Sequence, residues 1–166
     1  MTRLVLISDT HIPKRAKDLP ANLWRAIDAA DLVIHAGDWV GVATLDVLER
    51  RSRRLLGVYG NNDGPDLRAR LPEIARESVD DVRVAVVHET GAAANRERRM
   101  DAAFDHTDLL VFGHSHIPWD TVTHGGLRLL NPGSPTDRRR QPAGTFMTVE
   151  LDSGEIRDVR LVTVSS

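Results

Sequence analysis

Five short apolar runs in this chain are each followed at once by side chains that can bind a metal ion. The seven side chains are Asp9, His11, Asp38, Asn61, His88, His114 and His116. Together they offer carboxylate, amide and imidazole donors but no thiolate, a set that favours a first-row transition metal over magnesium or calcium. Seven donors are too many for one ion, so the set predicts two ions that share a bridging carboxylate.

Two pairs of donors are separated by a single residue, Asp9 with His11 and His114 with His116. On an extended backbone residues i and i+2 point to the same side, so we expect each pair to aim at a common point. Three of the donor motifs also contain a glycine, at positions 37, 60 and 113. Glycine lets the backbone turn sharply and approach closely, which would help the runs to converge.

The first part of the chain alternates short β-rich runs with helical patterns. Strands are predicted over 3–7, 32–35 and 55–59, and helices over 22–30 and 42–51. Such alternation predicts parallel strands that are joined by crossover helices. Ligands bind at the carboxyl edge of sheets of this kind, which is where the donors follow the strands.

The second part of the chain has a different pattern. A hairpin is predicted over 73–79 and 82–88, a helix over 95–104 and a buried strand over 109–112. From residue 121 onward, short runs separated by turn residues predict antiparallel strands. Residues 1–166 are therefore expected to form a single α/β domain with a mixed or double sheet.

Composition excludes several classes of protein. The chain has 166 residues, of which 41% are hydrophobic and 28% charged, enough for one sizeable core. A net charge of −2 argues against strong nucleic-acid binding. The absence of cysteine excludes disulfides, zinc ribbons, iron–sulfur clusters and thiol nucleophiles. No signal peptide and no apolar stretch of membrane-spanning length is recognised, so a cytoplasmic protein without membrane association is expected.

The donor motifs, taken in order, resemble the signature of the calcineurin-like metallophosphoesterases. They read Asp9-x-His11, Gly37-Asp38, Gly60-Asn61-x-Asp63, His88 and Gly113-His114-Ser115-His116. The small size of the chain, with Asn131-Pro132-Gly133-Ser134 soon after the last histidine pair, resembles the compact YfcE-like phosphodiesterase branch. The resemblance implies a four-layer α/β/β/α sandwich, in which two mixed sheets are flanked by helices.

The resemblance also implies a role for each donor. In it, Asp9, His11 and His116 hold a first ion, Asn61, His88 and His114 hold a second ion, and Asp38 bridges the two. Asp38, Asn61 and His11 are expected to take part in catalysis. Manganese is the ion expected at both positions, with nickel, iron and zinc as the alternatives.

Phosphoester hydrolysis is the activity that the resemblance implies. Two divalent ions about 3.5–4 Å apart lower the pKa of a bound water from roughly 15.7 towards 7, so a metal-activated hydroxide can attack phosphorus at neutral pH. Small phosphodiesters or nucleotide-like molecules are the expected substrates, and assembly into a homodimer or homotetramer is left open.

The alternative function is that of a non-catalytic, protein-binding scaffold of the same fold, like the retromer subunit. A nuclease is a third interpretation, which the acidic balance and the lack of an appended binding domain disfavour.

Two positions depart from the wider family. Asn62 stands where many members carry a histidine that protonates the leaving group, and an amide cannot act as a general acid. Since general-acid catalysis contributes about 10²–10⁴-fold, weaker action on esters with poor leaving groups is expected. Glu89 follows His88 where glycine is usual. Its larger, negative side chain is expected to crowd the site or to repel phosphate.

Three further features have more than one interpretation. Asp63 could cap the helix that is predicted to begin near Pro65, or it could support a ligand imidazole. The cluster Arg138–Arg140 could reach a bound phosphate by bidentate contact, or it could lie at an oligomer interface. His35, within a predicted strand, is expected to be a packed or hydrogen-bonded core histidine.

Overall fold

The computed structural model describes residues 1–166, which form two five-stranded sheets and four helices. In chain order the elements are β1 (Thr2–Ile7), α1 (Ala21–Ala29), β2 (Leu32–His35), α2 (Val42–Arg51), β3 (Leu55–Gly57), α3 (Pro65–Arg70), β4 (Ile74–Val79), β5 (Val82–Val87), α4 (Arg96–Ala103), β6 (Leu109–Val111), β7 (Trp119–Val122), β8 (Arg128–Asn131), β9 (Thr145–Asp152) and β10 (Glu155–Thr163).

The first sheet has the strand order β10-β9-β1-β2-β3. Strands β1, β2 and β3 are parallel, and α1 and α2 make the crossovers, as the alternation of strand and helix patterns predicts. An antiparallel hairpin of β9 and β10 extends the sheet on the other side of β1. Because β1 is an inner strand with both faces covered, residues 4–7 are all apolar and buried.

The second sheet has the strand order β4-β5-β6-β8-β7. The predicted hairpin of β4 and β5 is confirmed, and its turn places Asp80 and Asp81 in the left-handed region with φ of 51° and 64°. Strands β5, β6 and β8 are parallel, whereas β7 is antiparallel to β8. The prediction of antiparallel strands after residue 121 is thus correct for β7 with β8 and for β9 with β10, but wrong for the pairing of β8 with β6.

The two sheets pack face to face between outer helices. Leu4 and Leu6 of β1 join Val84 and Val86 of β5 in a core of 17 buried residues between the sheets. The residues that alternate with them in β1 face outward and pack against α1 and α2. Helix α4 covers the outer face of the second sheet, where Met100 is buried. This arrangement confirms the four-layer sandwich of two mixed sheets flanked by helices.

Several strands end before their predicted limits. The third strand was expected to reach residue 59 and ends at Gly57, and the strand expected to reach residue 112 ends at Val111. Beyond these points the chain leaves the ladder to form the loops that carry the donor side chains. No helix of the chain combines the length and apolar character needed to cross a bilayer.

Candidate metal centre

The loops that follow β1, β2, β3, β5 and β6 meet at the carboxyl edge shared by the two sheets. Backbone hydrogen bonds join these loops directly. The Asp9 N–H donates to the Gly37 carbonyl at 2.9 Å, and the Gly113 N–H donates to the His88 carbonyl at 2.9 Å. The donor side chains therefore project from a connected set of turns. These turns lie at the carboxyl edge of the sheets, where ligand binding is predicted.

The backbone at five of the seven donors is not extended. Asp9, His11, Asp38, His114 and His116 all have positive φ, from 46° to 74°, in the left-handed region. The convergence of Asp9 with His11 is confirmed, but its expected cause, the alternation of an extended chain, is wrong. Each such residue costs about 1–3 kcal/mol of backbone strain, and strain of this kind collects at functional sites.

A first group consists of Asp9, His11 and His116, whose donor atoms all lie within 4.8 Å of one another. Asp9 Oδ1 is 3.5 Å from His116 Nε2 and 3.9 Å from His11 Nε2. These three atoms are buried and have no hydrogen-bond partner. Buried polar atoms nearly always have a partner, so three that face each other without one fit a bound cation.

Neighbouring groups fix the orientation of the first group. Asp9 Oδ2 accepts hydrogen bonds from Ser8 Oγ at 2.8 Å and from the His114 N–H at 3.0 Å. His116 Nδ1 donates to the Asp137 carbonyl at 2.6 Å, which leaves Nε2 as the free donor atom. Burial raises the pKa of Asp9 to about 6 and lowers the pKa of His116 to about 4, because both charged forms lose water.

A second group consists of Asp38, His88 and His114. Asn61 belongs with it, since its Oδ1 is 2.9 Å from His88 Nε2 and 3.1 Å from His114 Nδ1. The two imidazole nitrogens are 3.3 Å apart. His88 Nδ1 donates to the Ala36 carbonyl at 2.7 Å, which turns Nε2 towards the group. His114 and His116, expected to share a point, thus belong to different groups.

Asp38 lies between the two groups. Its Oδ2 is 3.4 Å from His11 Nε2 of the first group and 3.4 Å from His88 Nε2 of the second. Burial acts to raise the pKa of Asp38, but the adjacent His11 and His88 imidazoles outweigh it and hold the pKa well below its usual range. A carboxylate held ionised between two donor groups is placed to bridge two cations.

Asn62 contacts Asp38 instead of pointing into open space. Its backbone N–H donates to Asp38 Oδ1 at 2.9 Å and its side-chain Nδ2 donates to Oδ2 at 2.8 Å. The approach is close because position 60 is glycine, where a Cβ atom would lie 2.2 Å from Asp38 Oδ1. The amide at position 62 therefore orients the central carboxylate.

Asp63 is buried and does not cap helix α3. Gly64 is the N-cap of that helix, and no side chain bonds to it. The Asp63 carboxylate instead accepts three backbone N–H groups, those of Asp38 at 3.0 Å, Val40 at 2.7 Å and Gly60 at 2.8 Å. Both expected roles, helix cap and support of an imidazole, are wrong, because the carboxylate fixes the backbone that presents Asp38.

His35 is a core histidine, as expected. It is fully buried and stacks on Trp39 with ring centroids 3.6 Å apart. Its Nδ1 accepts the Gly37 N–H at 3.1 Å, so the proton is on Nε2, which lies 3.1 Å from Thr10 Oγ1. Burial holds the pKa of His35 well below its ordinary value.

Glu89 lies at the rim of the second group and not within it. Its carboxylate is 3.6 Å from His114 Nε2, the ring nitrogen opposite the one that faces Asn61, and its side chain is 52% exposed. The expectation that Glu89 crowds the site or repels phosphate stays a prediction. Glu89 is positioned to hold the His114 ring.

A cleft of about 210 Å³ adjoins the first group. It is lined by His11, Lys14, Arg15, Val40, Asn62, Asp137 and Arg139. Of the cluster Arg138–Arg140 only Arg139 lines it, and the Arg138 guanidinium donates to the Gln141 carbonyl at 2.7 Å. Sequence reasoning missed Lys14 and Arg15, although both follow the first donor motif within a few residues.

Residues 2–154 match the calcineurin-like phosphoesterase superfamily domain. The chain belongs to that superfamily. A probable metallophosphoesterase of Methanothermobacter thermautotrophicus is 33% identical over 164 residues, which cover 95% of this chain and 90% of that protein. A phosphodiesterase of Methanocaldococcus jannaschii is 25% identical over 132 residues, covering 69% of this chain and 73% of that protein. The resemblance to the calcineurin-like phosphoesterases is thus confirmed at the level of the family.

Solved structures share the architecture. A Thermotoga maritima protein determined in solution is 36% identical, with a TM-score of 0.76 over 99% of this chain and 100% of that one. Vps29 of Entamoeba histolytica, crystallised with zinc, is 22% identical, with a TM-score of 0.78 over 98% of each chain. At that identity the second likeness concerns the fold alone. Both agree with the sandwich of two mixed sheets described above.

Proposed function

We propose that this metallophosphoesterase is a phosphodiesterase that works with two divalent transition-metal ions. The observation that carries the proposal is the first group, in which Asp9 Oδ1, His11 Nε2 and His116 Nε2 face one another, buried and without partners. Such an arrangement is costly unless a cation fills it. Imidazole and carboxylate donors without thiolate favour manganese, with nickel, iron or zinc as alternatives.

The chain's residues would hold the ions as two groups around one bridge. Asp9, His11 and His116 hold the first ion, Asn61, His88 and His114 hold the second, and Asp38 joins them. Such ion pairs activate water for attack on phosphorus and stabilise the charge on the phosphoryl oxygens. Two divalent ions and two aspartates leave a net positive centre, which favours an anionic substrate. Asp38, Asn61 and His11 face this centre and take part in catalysis by positioning.

The contacts of Asn62 limit which phosphate esters we propose as substrates. Its amide group is engaged by Asp38, and an amide has no proton to give to a leaving oxygen. Esters whose leaving group is already a weak base need no such proton. We therefore propose small phosphodiesters or nucleotide-like molecules with good leaving groups as substrates. The phosphodiesterase of Methanocaldococcus jannaschii, a distant relative, supports a phosphodiester as the substrate.

The organisation and location of the enzyme are part of the same proposal. We propose that residues 1–166 act as a single domain, since one apolar layer joins the two sheets. A chain without cysteine suits the reducing cytoplasm, where we place the activity. Assembly into a homodimer or homotetramer stays a prediction.

Metal-dependent turnover tests the proposal. Metal-stripped protein is assayed with bis(p-nitrophenyl) phosphate and with cyclic and linear nucleotides, after separate addition of manganese, nickel, iron, zinc or magnesium. We expect turnover with manganese and its loss in Asp38→Asn, while Asp66→Asn, an exposed position of α3, behaves as the parent. Absence of turnover with every ion, in protein shown to hold two ions per chain, would refute the phosphodiesterase.

A protein-binding scaffold is the second candidate. The absence of an acid at position 62 and the shared fold with Vps29 favour it. For this candidate we expect two bound ions per chain and no hydrolysis of these esters, because the donor set would then serve structure alone.

A further inference from the structure

We propose that the cleft beside the first group binds a second phosphate group of the substrate. The natural substrate would then be an organic phosphodiester that carries a further phosphate, such as a phosphorylated nucleotide ester. This inference rests on the proposed function, since it names the substrate class of the same centre. The inference is based on an excess of positive charge in the cleft, although the net charge of the whole chain is −2.

Three cations and one carboxylate line the cleft. Lys14, Arg15 and Arg139 bring three positive charges, and Asp137 returns one negative charge, which leaves an excess of two. Arg15 Nε is 3.6 Å from Asp137 Oδ2, so that carboxylate is already engaged. Lys14 and Arg139 are exposed and have no carboxylate partner. A phosphate monoester carries a charge of about −1.5 to −2 at pH 7, which matches the excess.

The size and position of the cleft suit a second phosphate. Its volume of about 210 Å³ is below the roughly 300–1,000 Å³ of pockets that hold drug-sized ligands, so it fits one charged group. His11 and Asn62 line the cleft and also belong to the surroundings of the two donor groups. A molecule with its ester at the centre therefore extends directly into the cleft.

The walls of the cleft are tied to the donor loops before any ligand binds. Ser134 Oγ donates to the Asp9 carbonyl at 2.8 Å, and Thr136 Oγ1 donates to the Thr10 carbonyl at 2.5 Å. The Asp137 N–H then donates to Ser134 Oγ at 2.8 Å. The Arg15 N–H also donates to the His11 carbonyl at 2.8 Å. Backbone that is held in place before binding reduces the entropy lost when a ligand is bound, which favours recognition.

Two substrates that differ by one phosphate test the inference. They are thymidine 5′-(p-nitrophenyl phosphate) and the same ester with a 3′-phosphate, each assayed by release of p-nitrophenol from manganese-loaded protein. We expect kcat/KM to be at least about tenfold higher for the doubly phosphorylated ester, the size of one charge-assisted contact. Lys14→Ala and Arg139→Ala should each lower this ratio towards one.

The chain offers matched controls for both substitutions. Lys17 and Arg140 are exposed cations near the same loops, but neither lines the cleft. Lys17→Ala and Arg140→Ala should therefore keep the parent ratio. A parent ratio near one, or a ratio that the Lys14 and Arg139 variants leave unchanged, would overturn the inference.

A binding measurement separates this inference from the proposed function. Calorimetry with manganese-loaded protein compares thymidine 3′,5′-bisphosphate with thymidine 5′-monophosphate, and it needs no turnover. Tighter binding of the bisphosphate that weakens in the Lys14 and Arg139 variants supports the cleft, even if no ester is hydrolysed. Hydrolysis together with equal binding of both nucleotides would sustain the phosphodiesterase and contradict the cleft.

Discussion

Replacing Asp63 distinguishes a helix cap from a support of the donor loops. The structure gives its carboxylate three backbone partners, the N–H groups of Asp38, Val40 and Gly60, and the side chain is buried. In Asp63→Ala these three N–H groups lose their acceptor. A buried donor without a partner costs about 1–3 kcal/mol, so the free energy of unfolding should fall by at least about 3 kcal/mol.

A conservative replacement gives an intermediate result. Asp63 Oδ2 accepts two of the N–H groups, from Asp38 and Gly60, while Oδ1 accepts the third, from Val40. In Asp63→Asn the amide oxygen keeps the first two, and the amide nitrogen faces the Val40 N–H. One lost contact predicts a decrease in unfolding free energy of about 2 kcal/mol.

Urea denaturation of the metal-free protein measures these changes. Asp66→Ala is the matched control, because Asp66 is an exposed acid in the first turn of α3 and should contribute only about 0.3–1 kcal/mol through the helix dipole. The Asp63 variants should also bind manganese about 10–100-fold more weakly, since the backbone of Asp38 loses its support.

The size of the effect decides between the two roles. Loss of a helix cap costs typically about 1 kcal/mol and would leave metal affinity unchanged. An Asp63→Ala variant that loses only this much, with parent affinity for manganese, would refute the assignment of Asp63 to the donor loops.

Three further predictions follow from buried groups near the centre. Because the pKa of His35 is low in the folded protein, the unfolded chain binds more protons below about pH 6.5, and the free energy of unfolding falls as the pH falls. His35→Gln lacks this group. Between pH 7.5 and 5.5 the free energy of unfolding of the metal-free variant, measured by urea titration, should therefore fall by about 1 kcal/mol less than that of the parent. Gly113→Ala would place a Cβ atom 2.0 Å from the Ser8 hydroxyl, so it should lower the melting temperature and the affinity for manganese. Gly64→Ala is the control: its Cβ atom would have no neighbour within 4 Å, and the free energy of unfolding should change by less than about 1 kcal/mol. His116→Ala should hold about one ion fewer per chain by elemental analysis while its circular dichroism stays that of the parent, and parent metal content would contradict its place in the first group.

The sequence predicts much of the fold because the residues that follow each apolar run indicate where the strand ends. The apolar run that ends at Ile7 is followed by Ser8-Asp9, and the strand Leu32–His35 is followed by Ala36-Gly37-Asp38. Both predicted strands agree with the structure within one residue. The donors could be found for the same reason, since each follows such a run. Their division into two groups came from the resemblance to a family and not from the spacing, which joined His114 to His116 wrongly.

The remaining features depend on contacts that a linear pattern does not contain. Asp63 accepts hydrogen bonds from the N–H groups of Asp38 and Val40, which lie 25 and 23 positions away in the sequence. The neighbouring Pro65 indicates only a helix start, so the local sequence does not predict this role. The cleft depends on the bond between Ser134 and the Asp9 carbonyl, which are 125 positions apart. The left-handed backbone at five of the donors falls on aspartate and histidine, which adopt this conformation more often than most residues but still in a minority of cases, so residue type alone does not predict it.

The central position of β1 bears on when the protein can acquire its ions during synthesis. The strand that leads to Asp9 pairs with β9, which ends at Asp152, and the first group is completed only by His116. A nascent chain on the ribosome therefore carries Asp9 and His11 long before it carries their partners. We expect metal capture to follow release of nearly the whole chain, so tight binding of the first ion should appear only after β9 has paired with β1.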